Sequence, residues 1–162
     1  MVCGTGPLLY GAAAGAAGTT ALNVISHGDM VVRGRSASST PETTVRKLAQ
    51  KLRLRIPGEG QAEESRVSAL GALTGLAAGT GMGVMLGLGH AAGWRPTRGA
   101  QYTVAVVGAL VATNGPMTVL GVTDPRTWAT SDWISDIVPH LAYAVVTVSV
   151  FNRLLGSASA CC

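Results

Sequence analysis

The chain has 162 residues, of which 48% are hydrophobic and only 12% charged, and its mean hydropathy is +0.37. That balance points to one compact membrane domain over residues 1–162. The net charge of +4 with 4% aromatic content argues against nucleic-acid binding, because the basic stretch has no aromatic side chains for base stacking.

Crossing a hydrocarbon core of about 30 Å takes about 20 apolar residues in helical form. Uncharged runs of that order predict an all-α protein, a transmembrane bundle with spans near 7–26, 67–93, 100–123 and 133–155. The fourth is the shortest in uncharged residues, Ile137 to Asn152, so a three-span bundle is the fallback.

The first span carries Gly11, Gly15 and Gly18, separated by alanines, and so presents a smooth face for close helix packing. No positive region precedes it, so cleavage as a signal peptide is not expected. His27 and Asp29 follow at its end. The connection 27–66 holds eight of the twelve Lys and Arg, namely Arg33, Arg35, Arg46, Lys47, Lys51, Arg53, Arg55 and Arg66. By the positive-inside tendency this connection is cytoplasmic and both termini lie outside a plasma membrane crossed several times. Within it, Ser39-Thr40-Pro41-Glu42 reads as a helix start with Ser39 as cap and Glu42 reaching back. A short amphipathic helix to about Leu54 follows, with Val45, Leu48 and Leu52 on one face, suited either to an anionic leaflet or to packing on the protein. Pro57-Gly58-Glu59-Gly60 ends it.

The second span contains Gly71, Gly75, Gly79, Gly83 and Gly87, one glycine at every fourth position, which places all five on one helix face. Each costs roughly 0.8–1 kcal/mol of helix propensity relative to Ala, so the bilayer and tight packing must offset the loss. The pattern predicts glycine-zipper packing, either of spans one and two against each other or of this chain against a copy of itself or a larger membrane complex. Gly15 to Asp29 loosely echoes Gly75 to His90, as a helix-pair repeat would. His90, with no acidic neighbour, reads as an interfacial side chain.

In the third span, Asn114-Gly115-Pro116 falls near the middle of the uncharged run. It reads as a plain kink, with Asn23 a candidate partner, or as the lining of an ion site. In the fourth, Asp132, Asp136 and His140 are spaced by four and four, and a continuous helix would stack them on one face near His27 and Asp29. Such donors suit Zn, Mn or Fe, or a proton relay. The competing reading starts the helix near Asp136, which then serves as a cap, tolerates Pro139 in the first turn and takes Asp132 off the face.

No phosphate-binding loop and no nucleophile elbow occur, so no enzyme activity, catalytic residue or cofactor is expected. Cys3, Cys161 and Cys162 lack metal-ligand spacing. If both termini face an oxidising side, Cys3 is placed to approach the C-terminal pair.

The stretch Gly121-Val122-Thr123-Asp124-Pro125, then Trp128, Asp132-Trp133 and Ser135-Asp136-Ile137-Val138-Pro139-His140-Leu141, resembles small uncharacterised integral membrane proteins of actinobacteria. Gly11 to Asp29 and Ser39-Thr40-Pro41-Glu42 share the resemblance. A narrower likeness, the acidic residue four before a His in the last helix, links the chain to an enterobacterial inner-membrane family associated with acid tolerance. These resemblances imply a plasma-membrane protein and supply no catalytic residues. The functional expectation is a small structural or accessory subunit of a membrane assembly, packing through its glycine faces; the alternative is a small proton- or metal-linked transporter or channel-like protein.

Overall fold

A computed structural model describes residues 6–160, with the side chains of 159 and 160 left aside. The described residues form five α-helices and no strand: α1 (Gly6–Arg33), α2 (Thr40–Lys51), α3 (Gln61–Ala91), α4 (Arg98–Val119) and α5 (Thr130–Ala160), with a single 3₁₀ turn at Pro125–Thr127 before α5. Four of these helices are long and apolar enough to cross a membrane: Gly6–Arg33, Gln61–Ala91, Arg98–Val119 and Thr130–Ala158.

The helices outrun the uncharged segments that announce them. α3 starts at Gln61 and carries Glu63 and Glu64 in its first turn, where the helix dipole favours negative charge. α5 starts at Thr130, and its 31 residues rise about 46 Å at 1.5 Å each, so the short uncharged stretch belongs to a helix of ample length. Pro139 lies inside α5 rather than in its first turn. Asp136 is therefore an interior residue and not a cap. At the start of α5, Asp132 in the first turn reaches back instead, its Oδ2 accepting the Ala129 amide at 3.0 Å.

α2 also begins as expected but by a different contact. Ser39 precedes the helix without a capping bond from its side chain, and Ser38 Oγ accepts the Thr40 amide at 3.2 Å instead. Glu42 does not reach back. Its Oε1 accepts from Ser68 Oγ at 3.2 Å, which ties α2 to α3 together with the Arg46–Glu63 ion pair. Gly58 and Gly60, with φ of 98° and 54°, make the reversal between these helices in a backbone region that a side chain would strain.

The glycines set the tightest contact in the bundle. α1 and α3 run antiparallel with Pro7 beside Gly87, Gly11 beside Gly83 and Gly15 beside Gly79. A Cβ on Gly15 would sit 2.6 Å from the Gly79 carbonyl oxygen, and one on Gly83 would sit 2.7 Å from Gly15 Cα. Backbone thus meets backbone, an approach only hydrogen side chains permit. The five-glycine face does not act as one seam, however. Gly79, Gly83 and Gly87 face α1, Gly71 faces Pro41 of α2, and Gly75 has nothing within 4 Å. Gly18 faces α5, where an added Cβ would lie 2.9 Å from Tyr143 Cδ2. These glycine contacts lie within one chain, so the surface a partner would meet is different from the one the spacing suggests.

Small residues likewise seat α5 in the centre. Tyr143, Ala144 and Val148 are buried with Leu86 of α3 and Ala105 and Ala109 of α4. Tyr143 donates its hydroxyl to the Gly79 carbonyl at 2.6 Å, so the one polar atom of that buried ring is satisfied by α3. α4 sits on the flank of this group, with Val104, Val107 and Val111 turned outward.

Candidate functional site

Polar side chains are expensive in an apolar bundle unless each finds a partner. The contact between α4 and α5 holds four that do. Asn114 Nδ2 donates to Asp136 Oδ2 at 2.8 Å. One turn along α5, His140 is 6% exposed and places Nδ1 2.7 Å from the Asp136 backbone oxygen and 3.5 Å from Oδ1 of the same residue. Its Nε2 lies 3.2 Å from Thr113 Oγ1, and that hydroxyl in turn reaches the Ala109 carbonyl at 2.9 Å. The chain Asn114, Asp136, His140, Thr113 therefore crosses from α4 to α5 and back.

Local structure explains why these residues meet. The i, i+4 spacing of Asp136 and His140 sets both on one face of a continuous α5. On α4, Thr113 and Asn114 precede Pro116, which has no amide hydrogen to give the preceding turn. Thr113 and Thr118 fold their hydroxyls back on the carbonyls of Ala109 and Asn114, a second set of bonds that loosens a helix where it is already interrupted. Gly115 leaves an open surface beside them.

The hydrogen-bond arithmetic at His140 is specific. A backbone carbonyl only accepts, so Nδ1 carries a hydrogen. Thr113 can donate to Nε2 or accept from it. If Nε2 is bare, the hydroxyl hydrogen turns toward the ring; if Nε2 is protonated, the hydroxyl oxygen accepts and its hydrogen stays on Ala109. Both arrangements keep the two ring nitrogens and the Thr113 hydroxyl bonded, and they differ by one proton.

The remaining expected members stand apart. His27 is exposed and its Nδ1 lies 2.7 Å from the Asn23 backbone carbonyl in its own helix, and Asn23 is itself exposed. Asp29 pairs with Arg35 and lies 3.6 Å from Arg33. Arg33 also donates to Ser135 Oγ at 2.8 Å, so the end of α1 does reach the start of α5 without joining the buried network. With Asp132 occupied at the helix start, the stack of two carboxylates and an imidazole is reduced to Asp136 and His140. Among the described residues no three His, Cys, Asp or Glu gather as metal ligands. Cys3, Cys161 and Cys162 lie outside the described residues.

Near the other end of the bundle a second polar group joins α4 to α5. Asn152 donates to Gln101 Oε1 at 2.7 Å, and the Tyr102 and Ser149 hydroxyls are 3.3 Å apart. His90 is partly buried against Phe151, ring centroids 5.8 Å apart at 86°. Sequence reasoning passes over Thr113, Tyr143 and Gln101. The available signal for Thr113 was its position beside Asn114 in a proline-interrupted helix; Tyr143 and Gln101 offer none short of knowing which helices touch.

No protein-family model, curated protein or solved structure matches the chain.

Proposed function

We propose that the protein is a small proton-linked membrane protein of the transporter or channel-like class, with α4 as its responsive element and His140 as the group that takes and releases the proton. The observation that carries this reading is the Asn114–Asp136–His140–Thr113 chain, whose two hydrogen-bonded arrangements differ by one proton. Ionisable residues inside a membrane are costly and mark proton or ion sites by default. The polar groups in contact with His140 and its network are Asp136 of α5 and Asn114 and Thr113 of α4. The glycine zipper of α1 and α3 supplies a rigid core against which α4 shifts.

The test is proton movement into liposomes that hold the full-length protein and an internal pH-sensitive dye. Wild type dissipates an imposed pH gradient, whereas His140→Ala and Asp136→Asn do not, with helical content unchanged in each. Equal rates in wild type, both variants and protein-free liposomes refute the proposal.

A structural or accessory subunit of a homo-oligomer or larger membrane complex is the second reading. It is favoured by Gly75 of α3, which nothing in this chain approaches within 4 Å although the other four glycines of its ladder are in contact. Native mass spectrometry of gently extracted protein reports copy number and partner mass, and Gly75→Leu should dissociate any assembly formed there while leaving the monomer folded.

A further inference from the structure

The last turns of α2 and the connection that follows carry a concentration of charge that the protein itself does not neutralise. From Lys47 to Arg55 there are four cations, Lys47, Lys51, Arg53 and Arg55, and no acidic residue. Lys47 reaches only the Gly121 carbonyl, and no side-chain hydrogen bond or ion pair holds Lys51, Arg53 or Arg55 among the described residues. Of the neighbouring acids, Glu63 takes Arg46, Glu42 accepts from Ser68, and Glu59, in the turn, and Glu64, in the first turn of α3, make no ion pair with these cations. Interleaved with the cations are Leu48, Leu52 and Leu54, exposed by 41%, 57% and 64%. An exposed leucine run is unfavourable in water, and unpaired cations around it say what kind of surface covers it.

The position of the segment narrows the choice. Arg66, immediately before the uncharged part of α3, donates to the Pro57 carbonyl at 2.9 Å, which fixes the end of the segment beside the point where α3 leaves the apolar layer. Lys47 bonds to Gly121, just past the end of α4. The segment therefore lies at the rim of the bundle, where lipid headgroups add about 5–8 Å to the hydrocarbon core on each side. Lysine and arginine side chains extend far enough to reach phosphates from there while their stems lie along apolar surface.

We infer that the Lys47–Ile56 segment docks on the headgroup layer of an anionic leaflet, its cations on lipid phosphates and its leucines toward the acyl boundary. The inference is independent of the proton site. It is tested with the full chain in bilayers containing spin-labelled phosphatidylglycerol or phosphatidylcholine, comparing how strongly each is held at the protein surface. Wild type should favour the anionic lipid by about fivefold, the factor equivalent to roughly 1 kcal/mol for one cation near a charged surface, and salt should lower that preference. Lys51→Gln/Arg53→Gln/Arg55→Gln should abolish most of it, and Arg95→Gln/Arg98→Gln at the opposite end should leave it intact. No anionic preference in wild type overturns the inference whatever the variants do, and would leave the patch to an acidic protein segment. Equal loss in the two variants overturns it as well.

Discussion

Gly83→Ala and Gly75→Ala should move stability in opposite directions, although the residues are eight apart on the same face of α3. At Gly83 the new methyl would lie 2.7 Å from both the Cα and the amide nitrogen of Gly15, and closer still to the Gly11 carbonyl. Carbon atoms rest at about 3.5–4.0 Å, so α1 and α3 must part by about 1 Å at that level. A gap of 0.5–1 Å forfeits roughly a quarter to a half of each dispersion contact along the seam, and overpacking of this kind costs about 1–3 kcal/mol. The gain of roughly 0.8–1 kcal/mol from replacing glycine in a helix offsets part of that cost, leaving a net loss of up to about 2 kcal/mol. At Gly75 nothing lies within 4 Å, so only the gain remains, up to about 1 kcal/mol. Reversible unfolding in mixed micelles, followed by circular dichroism, measures both. Two variants shifted in the same direction by similar amounts would refute the assignment of Gly83 to the α1 seam and Gly75 to open surface.

Tyr143→Phe removes the bond to the Gly79 carbonyl and should cost about 0.5–1.5 kcal/mol in the same assay. Asn114→Leu deprives the Asp136 carboxylate of a donor at 2.8 Å and should destabilise by about 1–3 kcal/mol; hydrogen exchange on α4 should rise first around Thr113. Gly108→Ala should be nearly neutral, because the only group it meets is the flexible end of Met82, and a thermal melt within a degree or two of wild type would agree with that.

The four helices long and apolar enough to cross a membrane are legible in the sequence because bilayer thickness imposes a length and a composition that one can count. The break at Pro57-Gly58-Glu59-Gly60 is legible for a similar reason, since it depends on the backbone freedom of particular residues rather than on neighbours. Asp136 was harder. A proline three residues on is compatible with a helix that starts there or with one that runs through, and local preference alone does not separate them. The structure runs α5 through because its earlier turns, from Thr130 with Asp132 at the start, are already formed and Asn114 meets the carboxylate from α4.

By itself, then, the sequence determines that four helices are long and apolar enough to cross a membrane, the helix faces on which glycines align and the spacing that places Asp136 beneath His140, because these follow from helix geometry and side-chain polarity. Only the tertiary structure decides that Gly11 and Gly15 meet Gly79 and Gly83, that Gly75 stays open and that Thr113 completes the histidine's bonds. Those outcomes depend on which helices touch and at what register, and a periodic run of small residues is compatible with several registers until the bulky groups between them, Tyr143 and Leu86 among them, select one.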